Sequence, residues 1–451
     1  MNVIVIVADS LRIDHLGCYG NAWIQTPHLD RFAQEAVVFD HYYPENLPTI
    51  PTRTSWWTGR YLFPFRGWRH LEHDDVLLSE VLWDQDYRTA LITDVYHLHK
   101  PEIHFGRGFD EVYFVRGQEY DRYVPPGAVT VRLEDSPHHR LPETLPEDQK
   151  QLWRERYEQY LRNQTRIQGE EDTYIAQVVT AGLEWLDRQM NRRHGSKRFF
   201  LWLDCFDPHE PWDPPEPYAS LYAKPGYTGL DLVDPVPGRV GETITEEELT
   251  RTLELYAGEV TLVDKWIGLF LDRCRELGLW ENTLIVFTTD HGEPFGDHGI
   301  VRKCRPWLHE ELVHSPLLLH LPEGTGAGTR CEALVQAPDL MPTILDFLGL
   351  PVPETCTGQS WLPLLRGEME KLRDYAFMGM GRARAVYTQE WAYLLEVRGR
   401  GPERCPAQLY HRLSDPRQQK NVLAEHPEVA RDLELALYRF REKLPFGFRH
   451  L

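Results

Sequence analysis

The segment Asn46-Leu-Pro-Thr-Ile-Pro-Thr-Arg-Thr-Ser-Trp-Trp-Thr-Gly-Arg60 gathers hydroxyls, two prolines and two arginines into fifteen residues. Pro51 suits the first position of a helix, where its missing N–H costs nothing, and Gly59 suits its end. Thr49 then lies at the helix mouth, where unpaired N–H groups and the helix dipole favour negative charge on an oxygen. Arg53, one turn on, points back toward the same place. A hydroxyl nucleophile needs such an anion-stabilising pocket, or a metal, to ionise at neutral pH. Taken alone, Thr49 reads first as an N-cap on a surface helix. The other residues able to do chemistry reverse that order.

Those residues are Asp9, Asp290 and His291, read as ligands of one divalent metal with the Thr49 oxygen as a fourth. The imidazole favours zinc or manganese over calcium or magnesium. Arg53, His209 and Lys303 supply cationic donors for the other oxygens of a tetrahedral anion. His209 could instead protonate a leaving group. The bland alternatives are a solvated surface charge for Lys303 and a turn residue between two prolines for His209.

Strand ends must bring these groups together. Apolar runs at 2–8, Thr89–Thr93, Phe199–Cys205, Thr283–Thr289 and Leu317–Leu321 read as buried, parallel strands. Helical patterns lie between them at Leu29–Ala36, Leu77–Asp84, Thr173–Gln189, Glu246–Arg275 and Asp339–Phe347. The alternation predicts an α/β fold, a sandwich around a mostly parallel sheet. Asp9, then Thr93 and Asp94, then Asp204, Asp207 and His209, then Asp290 and His291 each follow or end a strand. Ligands of open α/β sheets gather at that carboxyl edge.

The net charge of −20 argues against nucleic acid and anionic membranes as partners. An anionic small-molecule substrate then needs a local cationic pocket. The seven cysteines are scattered without a C-x-x-C pair, which indicates neither a zinc knuckle nor a disulfide framework. No apolar run is long enough to span a bilayer, and residues 2–8 are too short for a signal peptide, so a cytoplasmic location is expected. A homo-oligomer is compatible with the sequence.

At 451 residues the chain exceeds one ordinary core. Residues 1–370 are expected to form the large domain. Within it, 111–170 reads as an insertion, either a lid over the active edge or a solvated excursion, and 212–245 as a long loop. A polar stretch at 366–374 precedes short strand patterns at Tyr375–Met380, Arg384–Thr388 and Trp391–Glu396 and a helix at Glu428–Lys443. Residues 371–451 are therefore expected to form a small α+β domain.

Several motifs in order resemble the sulfatase family of the alkaline phosphatase superfamily. They are Asn2–Ser10 with Arg12-x-Asp-x-Leu-Gly-Cys-Tyr-Gly20, Thr26-Pro-His-Leu-Asp30, Thr58-Gly-Arg60 and Asp207-Pro-His-Glu-Pro-Trp212. Thr289-Asp-His-Gly-Glu293, Gly296-Asp-His-Gly299 with Lys303, and Pro338-Asp-Leu-Met-Pro-Thr343 continue the match, and Leu409-Tyr410, Asp415-Pro416 and Asn421-Val422 close it. The resemblance implies a large alkaline-phosphatase-like α/β/α sandwich with a smaller C-terminal domain, and a metal-dependent esterase. It matches Asp9, Asp290 and His291 to metal ligands, and Arg53, His209 and Lys303 to residues around the nucleophile and ester.

The sequence departs from that pattern at three places. The family signature begins with Cys or Ser, oxidised to formylglycine; here it reads Thr49-Ile-Pro-Thr-Arg53, and no formylglycine is expected. Threonine is the nucleophile in related phosphodiesterases and phosphoethanolamine transferases. The usual Asp-Asp pair is Asp9-Ser10. The Gly-Lys-x-His segment is replaced by Thr93-Asp-Val-Tyr-His97, where Tyr96 or His97 would contact substrate, similar to phosphonate monoester hydrolases. The reading is a metal-dependent ester hydrolase acting on phosphate monoesters, diesters or phosphonate monoesters through Thr49. The alternatives are a sulfuric ester hydrolase and an inactive anion- or sugar-binding member.

Overall fold

The computed structural model describes residues 1–63, 65–100, 102–191, 198–303, 308–397 and 406–444. Among these the strands are β1 (Asn2–Ala8), β2 (Val37–Tyr43), β3 (Arg88–Thr93), β4 (Glu111–Phe114), β5 (Phe199–Cys205), β6 (Gly238–Arg239), β7 (Thr283–Thr288), β8 (Ile300–Val301), β9 (Ser315–His320), β10 (Arg330–Cys331), β11 (Val335–Gln336), β12 (Ala376–Met380), β13 (Ala383–Tyr387), β14 (Trp391–Glu396) and β15 (Gln408–His411). The central sheet runs β10-β2-β9-β7-β1-β5-β3-β4, with β11 also on β2. From β7 to β4 every pairing is parallel.

Helices α1 (Pro27–Gln34), α2 (Thr49–Thr58), α3 (Leu78–Asp84), α4 (Tyr96–His99), α5 (Glu147–Gln164), α6 (Tyr174–Met190), α7 (Tyr218–Leu221), α8 (Glu246–Glu276), α9 (Glu310–Val313) and α10 (Leu340–Phe347) lie along the chain with the sheet. Strand β1 shows how both faces are covered. Its side chains alternate, as a two-residue period dictates. Ile4, Ile6 and Ala8 enter one core with residues of α1, α6 and α8. Val3, Val5 and Val7 enter a second core with residues of α2, α3 and α10. A strand buried on both faces reads as an unbroken apolar run, which is why 2–8 was legible. The fold is thus the expected α/β sandwich, mostly parallel.

Three elements differ from the sequence reading. Strand β9 is antiparallel to both neighbours, β2 and β7. An apolar run records burial, and burial is blind to strand direction. Strand β2 was not among the predicted strands. Asp40 and His41 interrupt its apolar pattern at an irregularity in register between Phe39 and Tyr42. Residues 111–114, placed by the sequence in an insertion, are β4, the edge strand beside β3. The chain beyond β4 does reach the carboxyl edge: Gln118 donates to Asp94 at 3.2 Å and to Asp207 at 2.5 Å. In the 212–245 stretch only α7 and β6 are regular.

At the C-terminal end, β12-β13-β14-β15 form an antiparallel sheet, with α11 (Leu362–Leu365) before it and α12 (Pro427–Lys443) after it. One face shares a core with Tyr43 and Leu47, the approach to α2. The other packs on α12 through Leu433 and Leu437. Cys18, Cys205, Cys274, Cys331 and Cys356 are free thiols; Cys304 and Cys405 lie outside the described residues. Among the described residues no helix is long and apolar enough to cross a membrane.

Candidate active site

Helix α2 starts at Thr49, two residues earlier than Pro51 suggested, and ends on Gly59 in the left-handed conformation at φ 63°. Gly59 N–H donates to the Ser55 carbonyl at 2.9 Å, a C-terminal cap that needs no side chain. The whole helix is buried. Four of its hydroxyls are tied to the protein: Thr52 to Asn46 O, Thr54 to Ile50 O, Ser55 to Glu45 and Pro51 O, and Thr58 to Thr54 O. The Thr49 hydroxyl alone makes no hydrogen bond among the described residues. It stands at the N-terminal end of the helix, where the dipole stabilises an anion.

Arg53 joins this helix to the strand ends. Its Nε and Nη2 donate to Asp204 at 2.8 and 2.6 Å, and Nη1 donates to Asp290 Oδ2 at 2.7 Å and to the Thr49 carbonyl at 3.2 Å. Nη2 lies 3.2 Å from Asp9 Oδ2. All four side chains are fully buried. The guanidinium expected to hold ester oxygens is therefore committed to three carboxylates. Asp204, noted in sequence only as a strand-end acid, is its bidentate partner.

Asp9, Asp290 and His291 come together, each offering a ligand atom within 4.8 Å of the others. His291 Nδ1 lies 2.8 Å from the Gly292 carbonyl. A carbonyl only accepts, so Nδ1 carries the proton and Nε2 keeps its lone pair. That Nε2 is buried without a hydrogen-bond partner among the described residues, 3.9 Å from Asp9 and 3.6 Å from Asp290. Asp9 Oδ2 likewise accepts no hydrogen bond among the described residues. Burial and the neighbouring Asp290 push the Asp9 carboxyl well above the usual range. Burial opposes ionisation of Asp290 too, but His291 and Arg53 hold its carboxyl below the usual range. Burial also keeps His291 neutral. Ionisation of Asp9 calls for a further cation beside Arg53, and among the described residues an orphaned imidazole nitrogen stands at the same place. The residues fit a divalent cation. Ser10, which departs from the Asp-Asp pattern noted in the sequence, orients the set: its N–H donates to Asp290 Oδ1 and its hydroxyl to Asp9 Oδ1.

His209 and Lys303 sit beside this centre in a second charged group that the sequence did not reveal. His209 stacks on Phe206 at 4.0 Å, and its Nδ1 lies 2.8 Å from the Glu210 carbonyl, which again leaves Nε2 unprotonated. Burial drives its pKa well below the ordinary histidine value. Lys303 Nζ is held by Glu210 at 2.8 Å and Glu293 at 2.6 Å. Arg302 pairs with Glu210 and Asp234. Glu210 and Glu293 lie inside recognisable motifs, but nothing in their spacing says that they meet Lys303. Tyr96 and His97 fall on α4 after β3. Tyr96 faces Glu119, and His97 Nε2 lies 3.8 Å from the same carboxylate. Burial, then the positive charges of Lys100, Arg53 and Lys303, depress the His97 pKa, which places that ring within the field of the site.

Comparison with known proteins bears on the family and the fold. The sulfatase family model matches residues 1–350, and a model for the C-terminal part of N-sulphoglucosamine sulphohydrolase matches residues 296–443. The multifunctional alkaline phosphatase superfamily protein PehA of Trinickia caryophylli is 26% identical over 81% of this chain and 77% of its own length. An arylsulfatase of Clostridium perfringens is 26% identical over 83% of this chain and 80% of its own. The phosphonate monoester hydrolase of Agrobacterium radiobacter superposes with a TM-score of 0.75 at 22% identity, covering 98% of this chain and 95% of its own, which shows the shared fold. With its parallel sheet, its buried Asp-Asp-His group and a family match over three-quarters of its length, the chain belongs to the sulfatase family of the alkaline phosphatase superfamily.

Proposed function

We propose that the protein is a metal-dependent hydrolase of phosphorus esters in which Thr49 is the nucleophile. The observation that carries this reading is the one untethered hydroxyl of α2, placed at the helix N-terminus while Arg53 of the same helix is locked onto the metal-binding carboxylates. Asp9, Asp290 and His291 would hold the cation, with Thr49 as a further oxygen ligand, and the imidazole favours zinc or manganese. When bound, that cation would lower the pKa of the Thr49 hydroxyl and offset charge on the transferred group.

Thr49 attacks phosphorus in line, the alcohol or phenol leaves, and water opens the resulting phosphothreonine. His209, neutral with its proton on Nδ1, enters through Nε2 as a proton acceptor and returns that proton to the leaving oxygen. Tyr96 and His97 line the ester side of the pocket. A formylglycine hydrate can expel sulfate by breaking its own C–O bond. A threonine ester has no such route and needs a second attack on the bound group, which phosphorus supports well when cationic groups neutralise the developing charge. The match to sulfatase relatives supports a second reading, hydrolysis of a sulfate ester.

Measured kcat/KM for aryl phosphate, aryl phosphodiester, aryl phosphonate and aryl sulfate with one common leaving group separates the two. Metal content should be determined on the same sample. The expected result is that the phosphorus esters turn over fastest and that phosphothreonine is trapped at position 49. A fastest sulfate ester with no trapped adduct makes sulfatase the correct activity.

A further inference from the structure

Lys303 and Arg302 both act on His209 through their charge, and neither is free. Glu210 holds both. One carboxylate oxygen is 2.8 Å from Lys303 Nζ, and the other bonds Arg302 Nη2. Glu293 takes a second position on Lys303 at 2.6 Å. Asp234 takes a second position on Arg302, and Glu119 lies 4.0 Å from it. Four buried carboxyl groups thus surround two cations: Glu210 is held ionised, whereas burial raises Glu119 and Glu293 to about 7. Beside them His209 and His97 are both held neutral by burial. The charge of Arg53 is already matched by Asp9, Asp204 and Asp290. A divalent cation at Asp9, Asp290 and His291 offsets the carboxylates there, but not the charge of Glu210. The described part of the ester pocket therefore has no uncompensated positive charge for a second negative charge on the substrate.

We propose that Glu210 is a positioning residue that clamps Lys303 and Arg302 and so makes the site select singly charged esters over doubly charged ones. This rests on the reading of the site as an ester pocket built around Thr49. The clamp is rigid as well as electrostatic. Glu210 is 2% exposed, and its own carbonyl fixes the His209 ring. Burial opposes its ionisation, but Arg302 and Lys303 hold its carboxyl well below the usual range, so its charge is constant across neutral pH. At a few ångströms, and with the effective dielectric of a partly buried site, one unit of charge is enough to change selectivity tenfold or more.

The test compares the metal-loaded wild type with Glu210→Gln, which keeps the shape and removes the charge. The first measurement is the ratio of kcat/KM for an aryl phosphate dianion to that for the methyl diester with the same leaving group. The substitution should raise this ratio by about tenfold or more. In the wild type the ratio should fall as pH rises through the second ionisation of the monoester, near about 6. The second measurement needs no turnover: calorimetric binding of inorganic phosphate below and above its second ionisation. The wild type should bind the monoanion at least as tightly as the dianion, and Glu210→Gln should reverse that order. Tighter dianion binding by the wild type overturns the inference even if the variant fails to fold. So does a ratio unchanged within about twofold in a folded variant. A wild type that hydrolyses no phosphorus ester but still prefers the phosphate monoanion refutes the proposed reaction and leaves the charge selection standing.

Discussion

Two residues one helical turn apart separate chemistry from stability. Thr49 offers a hydroxyl that nothing in the described protein uses, so its removal should cost the fold little. Thr49→Ala is expected to reduce kcat by at least about a thousandfold, as losses of covalent nucleophiles do. Its urea midpoint should stay close to wild type. Arg53→Ala is expected to behave differently, because it strands three buried carboxylates. Breaking a buried ion network by removing one side costs about 3–5 kcal/mol. Urea denaturation of the metal-free protein should show that loss, and added divalent metal should restore part of it by offsetting the same charges. A mild Arg53→Ala phenotype would mean that the carboxylates are not ionised together. The residue types at 49 and 53 were legible in sequence. That Arg53 answers to Asp204 was not, since the partners are 151 positions apart.

At the scale of the element, α2 is held at both ends by groups outside it. Gly59 closes it with φ 63°, and an added Cβ there would lie 2.4 Å from Cys356 Sγ and 3.2 Å from Met341 Cβ. Gly59→Ala therefore combines backbone strain with a clash and should lower stability by about 1–3 kcal/mol. The check is a lower denaturant midpoint at unchanged slope. Glu45 accepts from Ser55 of the helix and from Leu62 and Phe63 N–H beyond it. Burial raises its carboxyl from about 4.5 to about 7, only partly offset by those donors. A raised folded-state value means that the stabilisation is complete below about 4.5 and is lost as pH climbs through about 7. Glu45→Gln has no proton to lose, so its stability should change less than wild type between about pH 5 and pH 8, measured by thermal unfolding. A parallel dependence in both proteins would assign the pH effect to other groups. The helix itself was predictable from Pro51 and Gly59. Its start at Thr49 was not, because the residues before Pro51 carry no helical periodicity of their own.

The whole molecule carries a net charge of −20, and an anionic ester of the proposed kind would have to reach a pocket inside that field. Raising the ionic strength from about 10 to about 150 mM shortens the screening length from about 30 to about 8 Å. The kcat/KM for an anionic aryl ester should therefore rise several-fold over that range, while kcat changes little. A fall instead would show that local cations dominate the approach. The described network around Glu210 gives no reason for one.

The alternation of strands and helices, the gathering of ionisable groups at strand ends, and the family were legible in the sequence. Each is written in short-range pattern: a buried strand is an apolar run, its polar edge is an acid just after it, and the motifs around Asp9, Thr49, His209 and Asp290 are local strings. What only the tertiary structure decided was direction, pairing and charge balance. The existence of β2 depends on β9, nearly three hundred positions away, and the direction of β9 is set by its pairing with both β2 and β7. Lys303, read as a donor to substrate, is balanced by Glu210, 93 positions distant, and by Glu293. The residue types of such a site are local facts, whereas the charge a substrate meets is a sum over every group folded within a few ångströms, and that sum exists only once the chain has closed on itself.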